Sequence, residues 1–271
     1  MAARYKVQIK GLVRFSYLSE GGFAMSEQGQ DAVREILYDP ARLDRRFRMF
    51  EQLALHSIKR QRNSDFKVGV LIGDSLPDAA RDRLENLVKD VPQVQIISLP
   101  PLVHFNAIRH AYGAIKDEPD ATHTATFRLD DDDAMHRVTT KRIGKIAGSL
   151  LSLRDPNTPF AIAFNRGFYL DIGNKDVPIS EWYEKTPLGV GLALVAPVGD
   201  PVNVFRRNHR KLGEYYDCMT EVERPMFIRS VHMDNDSGAA PTGRQGDLGR
   251  REIARVLRVG FGRTLDELKA L

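Results

Sequence analysis

The stretch TFRLDDDDAM, residues 126–135, decides the fold, because four aspartates follow a short apolar segment in the middle of the chain. Adjacent carboxylates repel one another, and a hard divalent cation bound through their oxygens cancels that repulsion. HTATFRL predicts a strand, so alternation would send Asp130 and Asp132 to one side and Asp131 and Asp133 to the other. An acidic turn or a helix N-terminus is the alternative interpretation, since aspartate also caps helices.

Length and composition are those of an ordinary globular protein. The chain has 271 residues, of which 42% are hydrophobic and 28% charged, with a formal charge of +4 and a pI near 9.1. This mild basicity fits an anionic ligand or an anionic membrane surface and is too weak to indicate nucleic acid. The single cysteine, Cys218, excludes an internal disulfide. Without a signal-peptide core or a long apolar run, we expect a cytoplasmic protein, with peripheral contact at the inner membrane face as a further option.

Strands and helices alternate before the aspartates. The predicted strands cover 6–17, 66–74, 94–100 and the segment before Asp130, and the predicted helices cover 43–62, 77–89, 103–116 and 137–151. Their crossovers have the length that parallel pairing requires. The first half therefore predicts a doubly wound sheet with the aspartates at its ligand edge.

The pattern changes after Pro156. Strands are predicted at 159–172 and 189–197, with a loop between them that carries the only tryptophan, Trp182. A basic helix at 203–216, a strand from residue 225 that ends in a polar loop, a mobile segment at 240–247 and C-terminal helices follow. Mixed strands after a parallel half predict a second subdomain on the same sheet.

Two further segments carry candidate ligands. His232, in VHMDNDS, offers a neutral imidazole as a third ligand for Mn²⁺, with Asn235 or Asp236 in support, although a surface histidine is the alternative. The basic stretch NVFRRNHRKLGEYY contains guanidinium groups that bind phosphate oxygens in two-pronged fashion, or that simply form a solvated helix face. His209 is the candidate ligand within it.

The chain resembles a bacterial family of rhamnosyl transferases, which have a GT-A glycosyltransferase fold. The matching segments are VRFSY, MFEQLALHSIKRQRNSDFKVGVLI, TFRLDDDDAM and PMFIRSVHMDNDS, which span most of residues 7–237. The resemblance implies an α/β, GT-A-like open sheet in a single domain, 1–271. Within it, about 1–155 would bind the nucleotide sugar and about 156–237 would face the acceptor. The resemblance does not cover 238–271, where the sequence itself predicts a mobile loop and C-terminal helices.

The resemblance also implies a site. A nucleotide-diphosphate sugar (UDP-, GDP- or dTDP-linked) would be the donor, and Mn²⁺ or Mg²⁺ would bind Asp130, Asp132 and His232. The candidate nucleotide contacts are Arg14, Ser16, Arg128, Asp130, Asp131 and His209. Asp133 is a helper, either at the nucleotide or as the cap of the next helix, and is counted among the catalytic candidates.

The catalytic base is a separate question. An inverting enzyme needs a carboxylate near the acceptor hydroxyl, and Glu181, Glu184, Asp200 and Asp217 are candidates, whereas a retaining enzyme needs none. Glu181 is preferred because its neighbour Trp182 could stack on a sugar ring.

The leading hypothesis is a metal-dependent glycosyltransferase that acts on a polysaccharide, cell-surface glycan or lipid-linked acceptor. A nucleotidyltransferase or sugar-nucleotide pyrophosphorylase is the second, with Gly21-Gly22 as weak support for a phosphate loop. A non-catalytic Ca²⁺-binding module is the third, although the EF-hand spacing is missing. The sugar and the oligomeric state stay open.

Overall fold

The computed structural model describes residues 5–20, 30–176, 178–233, 235 and 240–271. The strands are β1 (Val7–Arg14), β2 (Lys67–Gly73), β3 (Val94–Leu99), β4 (His123–Asp130), β5 (Ala134–Met135), β6 (Phe160–Phe164), β7 (Arg166–Asp171), β8 (Ile179–Tyr183), β9 (Ala193–Pro197), β10 (Asp217–Glu221), β11 (Phe227–Val231) and β12 (Arg244–Gln245). The α-helices are α1 (Gln30–Leu37), α2 (Pro40–Met49), α3 (His56–Lys59), α4 (Asp78–Val88), α5 (His104–Ala114), α6 (Thr139–Leu151), α7 (Arg250–Val256) and α8 (Leu265–Lys269). Gly21, Gly22 and Asp236, named above as candidates, lie outside the described residues.

The larger sheet has the strand order β10-β6-β9-β4-β1-β2-β3. Its first four strands in the chain, β1 to β4, are parallel, and β9 runs antiparallel to both β4 and β6. Helices connect the parallel strands, as the alternation in the sequence predicted. The predicted α/β architecture, with a parallel N-terminal half and a mixed remainder, is confirmed.

A second sheet, β12-β8-β7-β11-β5, contains most of the later strands. The prediction that all of them extend one sheet is therefore wrong. The single strand predicted at 159–172 is two strands in different sheets, and the chain crosses between them at Asn165. The Asn165 side chain donates to the Glu184 carbonyl, and its backbone N–H donates to the Glu221 carbonyl, so the crossing point is held from both sides.

The helix predicted at 43–62 is confirmed as α2, a π-helical stretch Phe50–Leu55 and α3 in direct succession. It packs on the end of β1, where the Phe15 ring lies 4.6 Å from that of Phe47 and 5.3 Å from that of Phe50, between centroids. The opposite face carries many basic residues but is not uniformly solvated, because Arg42 is buried and Arg46 donates to Asp132.

The basic helix predicted at 203–216 is wrong. The backbone there is irregular apart from a 3₁₀ turn at His209–Glu214. Two asparagines explain this, because the side chain of Asn203 accepts from the Phe205 N–H and that of Asn208 from the Arg210 N–H. Such local bonds compete with helix formation.

The segment predicted as mobile, 240–247, is held by the second sheet through β12, which pairs with β8. A Cβ at Gly243 would lie 1.6 Å from the Tyr183 carbonyl oxygen, so only glycine fits this approach. The loop predicted between the strands at 159–172 and 189–197 is not entirely irregular, because β8 lies within it. At the C-terminus a capping box opens α8, since the Thr264 N–H donates to Glu267 Oε2 at 2.7 Å and the Glu267 N–H donates to Thr264 Oγ1 at 3.2 Å.

Candidate active site

The four aspartates begin at the carboxyl end of β4, next to the central strand of the parallel half. Asp130 is the last residue of β4 and lies in register with Arg14 of β1. The chain then turns, and β5 pairs with β11 of the second sheet. Strand alternation therefore stops at Asp130, and the predicted two-and-two division of the aspartates is wrong. All four carboxylates are instead paired with arginines, two of which are each shared between two aspartates.

Asp130 is enclosed by three arginines. Its carboxylate lies 3.5 Å from Arg14 Nη2, 3.2 Å from Arg128 Nη2 and 3.3 Å from Arg229 Nη1. Burial acts to raise the pKa of Asp130, but the positive charges of these three arginines hold it well below its usual range. Asp130 is therefore ionised and joins the two sheets electrostatically.

Asp131 and Asp132 share Arg46 of α2. The Arg46 guanidinium donates to both oxygens of Asp131, with Nε at 3.1 Å from Oδ2, and Nη1 donates to Asp132 Oδ2 at 3.0 Å. Asp131 is buried, so this pairing uses its carboxylate fully. The structure places Asp131 against a helix of the protein, and it does not support the predicted nucleotide contact.

Asp132 also meets the end of β11. Its Oδ2 lies 2.8 Å from His232 Nε2 and 3.2 Å from Asn235 Nδ2. Burial raises the pKa of Asp132, but Arg46 and the His232 hydrogen bond outweigh it and lower the pKa to about 2. Asp132 Oδ1 is buried, and no described residue forms a hydrogen bond with it. The predicted association of Asp132, His232 and Asn235 is thus present.

Asp133 has no access to solvent and turns into the protein. Its oxygens accept from Arg229 Nη1 at 2.8 Å and from the Ser230 N–H at 2.9 Å. Burial and the negative charges of Asp132 and Asp130 raise the pKa of Asp133 to about 7, although Arg229 opposes the change. Both oxygens of this carboxylate are thus used to hold β11. The predicted catalytic role of Asp133 is therefore replaced by a structural one, which fixes β11 beside the motif.

The predicted nucleotide residues lie along one edge of the site. The guanidinium groups of Arg14 and Arg128 lie over the Phe205 ring, at 5.6 and 4.7 Å from its centroid. His209 is close to the same groups: burial and the charge of Arg128 lower its pKa to about 3, against the opposite effect of Asp130. At neutral pH His209 is a neutral hydrogen-bonding group.

Two backbone features support this edge. Ser16, directly after β1, has a φ of 45°, which is rare for a residue other than glycine, and its hydroxyl accepts from Arg42 Nη1 at 3.4 Å. Such conformations cluster at ligand sites. A Cβ at Gly189 would lie 2.9 Å from Arg128 Nε, so the glycine makes room for that side chain.

Glu181 does not fit its predicted role. It lies on β8, not in a loop, and its buried carboxylate accepts from Arg166 Nε at 2.7 Å and from the Leu248 N–H at 3.0 Å. The register pairs Glu181 with Phe168, and Phe168 with Ile228, so it points to the face opposite Arg229. Glu181 anchors the 244–248 segment.

Glu184 lies on the other face. Tyr169 is in register with Arg229, and its hydroxyl donates to Glu184 Oε1 at 2.7 Å. Thr242 Oγ1 donates to Glu184 Oε2 at 2.5 Å. Trp182 shares this face, with its ring 6.4 Å from that of Tyr169. Of the four predicted base candidates, Glu184 is the one whose hydrogen-bond partner, Tyr169, is in register with Arg229.

The other two candidates serve the backbone or an ion pair. Asp200 Oδ1 caps the Val202 N–H, and Asp217 pairs with Arg154 at 2.9 Å on the edge strand β10.

A divalent cation fits part of the predicted ligand set. Within the described ranges, no three histidine, cysteine, aspartate or glutamate side chains are gathered around one point as a metal cluster. The carboxylate of Asp130 is already paired with Arg14, Arg128 and Arg229. The unpartnered Oδ1 of Asp132, beside His232 and the amide of Asn235, is nevertheless a hard oxygen donor next to an imidazole, which is the chemistry that Mn²⁺ accepts.

Arg46 and Arg229 were missed by sequence reasoning. The signal for Arg229 was its place in the apolar segment PMFIRSV, where a charged side chain requires a partner. Arg46 gave no signal, because it is one of several arginines on the same helix.

One comparison with known proteins identifies a family. A family model described as "Putative rhamnosyl transferase" matches residues 8–244. The class of protein is therefore that of the glycosyltransferases. The chain belongs to the family of that description, as its sequence predicted.

Solved structures with some similarity are more distant. TarS residues 1–349 from S. aureus, crystallised with UDP-GlcNAc, shows 12% identity and a TM-score of 0.47, covering 84% of this chain and 60% of that one. A Desulfovibrio desulfuricans G20 protein described as "putative nucleotide-diphospho-sugar transferase" shows 6% identity and a TM-score of 0.34, covering 83% of this chain and 81% of that one. The chain spans only 37% of the longer TarS chain. No curated protein matched. In the described part of the chain, no helix is both long and apolar enough to cross a membrane.

Proposed function

We propose that the protein is a metal-dependent glycosyltransferase that moves a sugar from a nucleotide-diphosphate donor to a glycan or lipid-linked acceptor. The observation that carries this proposal is the unpartnered Asp132 Oδ1 beside His232, at the carboxyl edge of a parallel sheet. Open α/β sheets bind ligands at that edge. Rhamnose is the sugar that the family description favours. The site lies in the cytoplasm in this proposal.

Asp132, His232 and Asn235 would hold Mn²⁺ or Mg²⁺. Bound there, the cation supplies positive charge that neutralises the leaving diphosphate. The role of Asp130 as a metal ligand stays a prediction. To bind the ion, its carboxylate would have to give up a contact with one of its arginines.

The chain's own residues bind and orient the donor. Arg14 and Arg128, held over Phe205, present guanidinium donors suited to phosphate oxygens. His209, neutral at physiological pH, contributes a hydrogen bond on the same edge. Ser16, held in its unusual conformation, lies where a nucleotide would pass the end of β1.

Glu184 is the proposed proton acceptor of an inverting reaction. It replaces Glu181 because it lies on the face of the second sheet that carries Arg229 and Trp182. Tyr169 and Thr242 fix its two oxygens, and Trp182 offers an aromatic surface to a sugar ring.

Donor hydrolysis tests the metal and the nucleotide together. UDP-, GDP- and dTDP-sugars are incubated with Mn²⁺, with Mg²⁺ or with EDTA, and the nucleoside diphosphate released is measured. We expect one of the donors to release its nucleoside diphosphate, and only when metal is present. This release should be lost in Asp132→Asn. It should be retained in the control variant Asp82→Asn, since Asp82 is an exposed residue of α4. Full activity in EDTA would reject the metal. Pyrophosphate release from a nucleoside triphosphate would favour a nucleotidyltransferase instead.

A further inference from the structure

A second group of cations lies away from the aspartates, where the end of α3 meets the start of α6. Arg60 directly follows α3, and the Arg62 N–H donates to the Arg137 carbonyl at 2.8 Å. The Arg137 N–H in turn donates to the Gly260 carbonyl at 2.8 Å. These backbone bonds bring Arg60 and Arg62, at the end of α3, next to Arg137, just before α6. We call them the α3–α6 arginine cluster.

The neighbouring backbone is shaped to admit one of these side chains. Gly262 has a φ of 67°, and a Cβ there would lie 2.2 Å from Arg60 Nε. The left-handed turn thus requires glycine both for its conformation and for the approach of a guanidinium group. Arg263, the next residue, extends away and donates from Nε to the Gln52 carbonyl at 2.8 Å.

The cluster has no internal counter-charge. Throughout the described ranges, Arg60, Arg62 and Arg137 form no ion pair with a carboxylate, and Arg137 Nε is buried without a hydrogen-bond acceptor. The nearby Glu267 is engaged by Thr264 and faces Arg263 at 3.8 Å. The arginines of the active site are different, since each pairs with an aspartate.

The like charges act on one another and on the histidines beside them. Burial and then the charges of Arg62 and Arg60 lower the pKa of Arg137. Burial, Arg263 and Arg60 lower the pKa of His56 to about 4, so this histidine is neutral and adds no charge. Fixed like charges of this kind repel, and an anion bound among them removes the repulsion.

We infer that the α3–α6 arginine cluster is a binding site for a phosphate-type oxyanion, separate from the donor site. Planar guanidinium groups recognise the tetrahedral oxygens of a phosphate monoester or diester in two-pronged fashion. The same chemistry is carried by a phosphorylated soluble ligand and by an anionic lipid headgroup, and both are within reach because Arg60 is exposed.

Calorimetry of the full chain with inorganic pyrophosphate tests the site. Wild type is compared with Arg62→Gln/Arg137→Gln, with the exposed Arg60→Gln, and with Arg109→Gln, an exposed arginine of α5 outside the cluster. We expect the double variant to bind one equivalent less than wild type, Arg60→Gln to bind at least 5-fold more weakly at this site, and Arg109→Gln to match wild type. The nucleotide-dependent rise in Tm should persist in all four, because the donor site is untouched.

Equal stoichiometry and affinity in all four proteins would overturn the inference, and so would loss of one equivalent in Arg109→Gln as well. Cosedimentation with phosphatidylglycerol and phosphatidylcholine vesicles then identifies the source of the oxyanion. Binding to phosphatidylglycerol vesicles that the double variant loses assigns a lipid headgroup. Pyrophosphate binding without vesicle binding assigns a soluble phosphorylated ligand.

Discussion

Arg46 Nη1 donates to Asp132 Oδ2 at 3.0 Å, across 86 residues of sequence, while the same guanidinium group holds Asp131. The pairing attaches α2 to the turn after β4 and engages Asp132 Oδ2, whereas Asp132 Oδ1 is buried with no hydrogen-bond partner among the described residues. Arg46 therefore places a positive charge between Asp131 and Asp132. Because it binds Oδ2 of Asp132, Oδ1 is the oxygen of that carboxylate that is left for a ligand.

Replacing Arg46 tests this attachment. Because Asp131 and Asp132 would stay buried without their partner, we expect Arg46→Met to reduce the free energy of unfolding by about 3–5 kcal/mol. Denaturant titration measures it. Arg48→Met is the matched control, since Arg48 is half exposed and its one ion pair within the described residues is with Asp44, and it should change stability by less than about 0.5 kcal/mol. Equal losses in the two variants would show that the pairing is not what holds the turn.

Replacing Glu184 should affect the reaction, whereas replacing Glu181 should affect stability. We expect Glu184→Gln to lower glycosyl transfer by roughly 10²–10⁴-fold, as removal of a general base does. Glu181→Gln should instead weaken the bond to Arg166 and destabilise the protein by about 1–3 kcal/mol, with turnover of the folded enzyme retained. Transfer assays and thermal melts on both variants provide the comparison. Full transfer activity in Glu184→Gln would remove it as the base.

Two glycines separate close packing from helix propensity. A Cβ at Gly167 of β7 would lie 2.4 Å from the Phe227 ring, so Gly167→Ala should destabilise by about 1–3 kcal/mol. Gly113 of α5 has no atom within 4 Å of such a Cβ, and Gly113→Ala should stabilise by about 0.5–1 kcal/mol, because alanine is the better helix former. Denaturant midpoints, compared at constant m, measure the change in stability of each variant. Changes of the same sign would contradict the packing described for β7 and β11.

Acid should weaken the fold through two half-buried histidines. Burial, with the charges of neighbouring arginines, lowers the pKa of His56 and of His136 from 6.5 to about 4. Between those pH values the unfolded chain binds protons that the folded chain does not, so stability falls as the pH drops from 6.5 to 4. Unfolding measured across this range should show a shallower pH slope in His56→Asn, by up to one proton. An unchanged slope would mean that His56 is protonated in the folded state.

The sequence by itself determined the elements whose pattern is local. The apolar periodicity of residues 43–62 and the short buried strands before the aspartates predicted the parallel half and the position of Asp130 at its edge. His232 was predicted from its own strand end, and its contact with Asp132 is present. These features follow from side-chain spacing, which any continuous segment displays.

Only the tertiary structure decided which charges meet. The partners of the aspartates come from α2 and β11, and neither Arg46 nor Arg229 is distinguishable from other arginines until the sheets are in register. The face of Glu181 was likewise settled by the pairing of β8 with β7, because a shift of one residue reverses every side chain of a strand. Strand identity is a local property, whereas register and the pairing of distant charges depend on the whole folded chain.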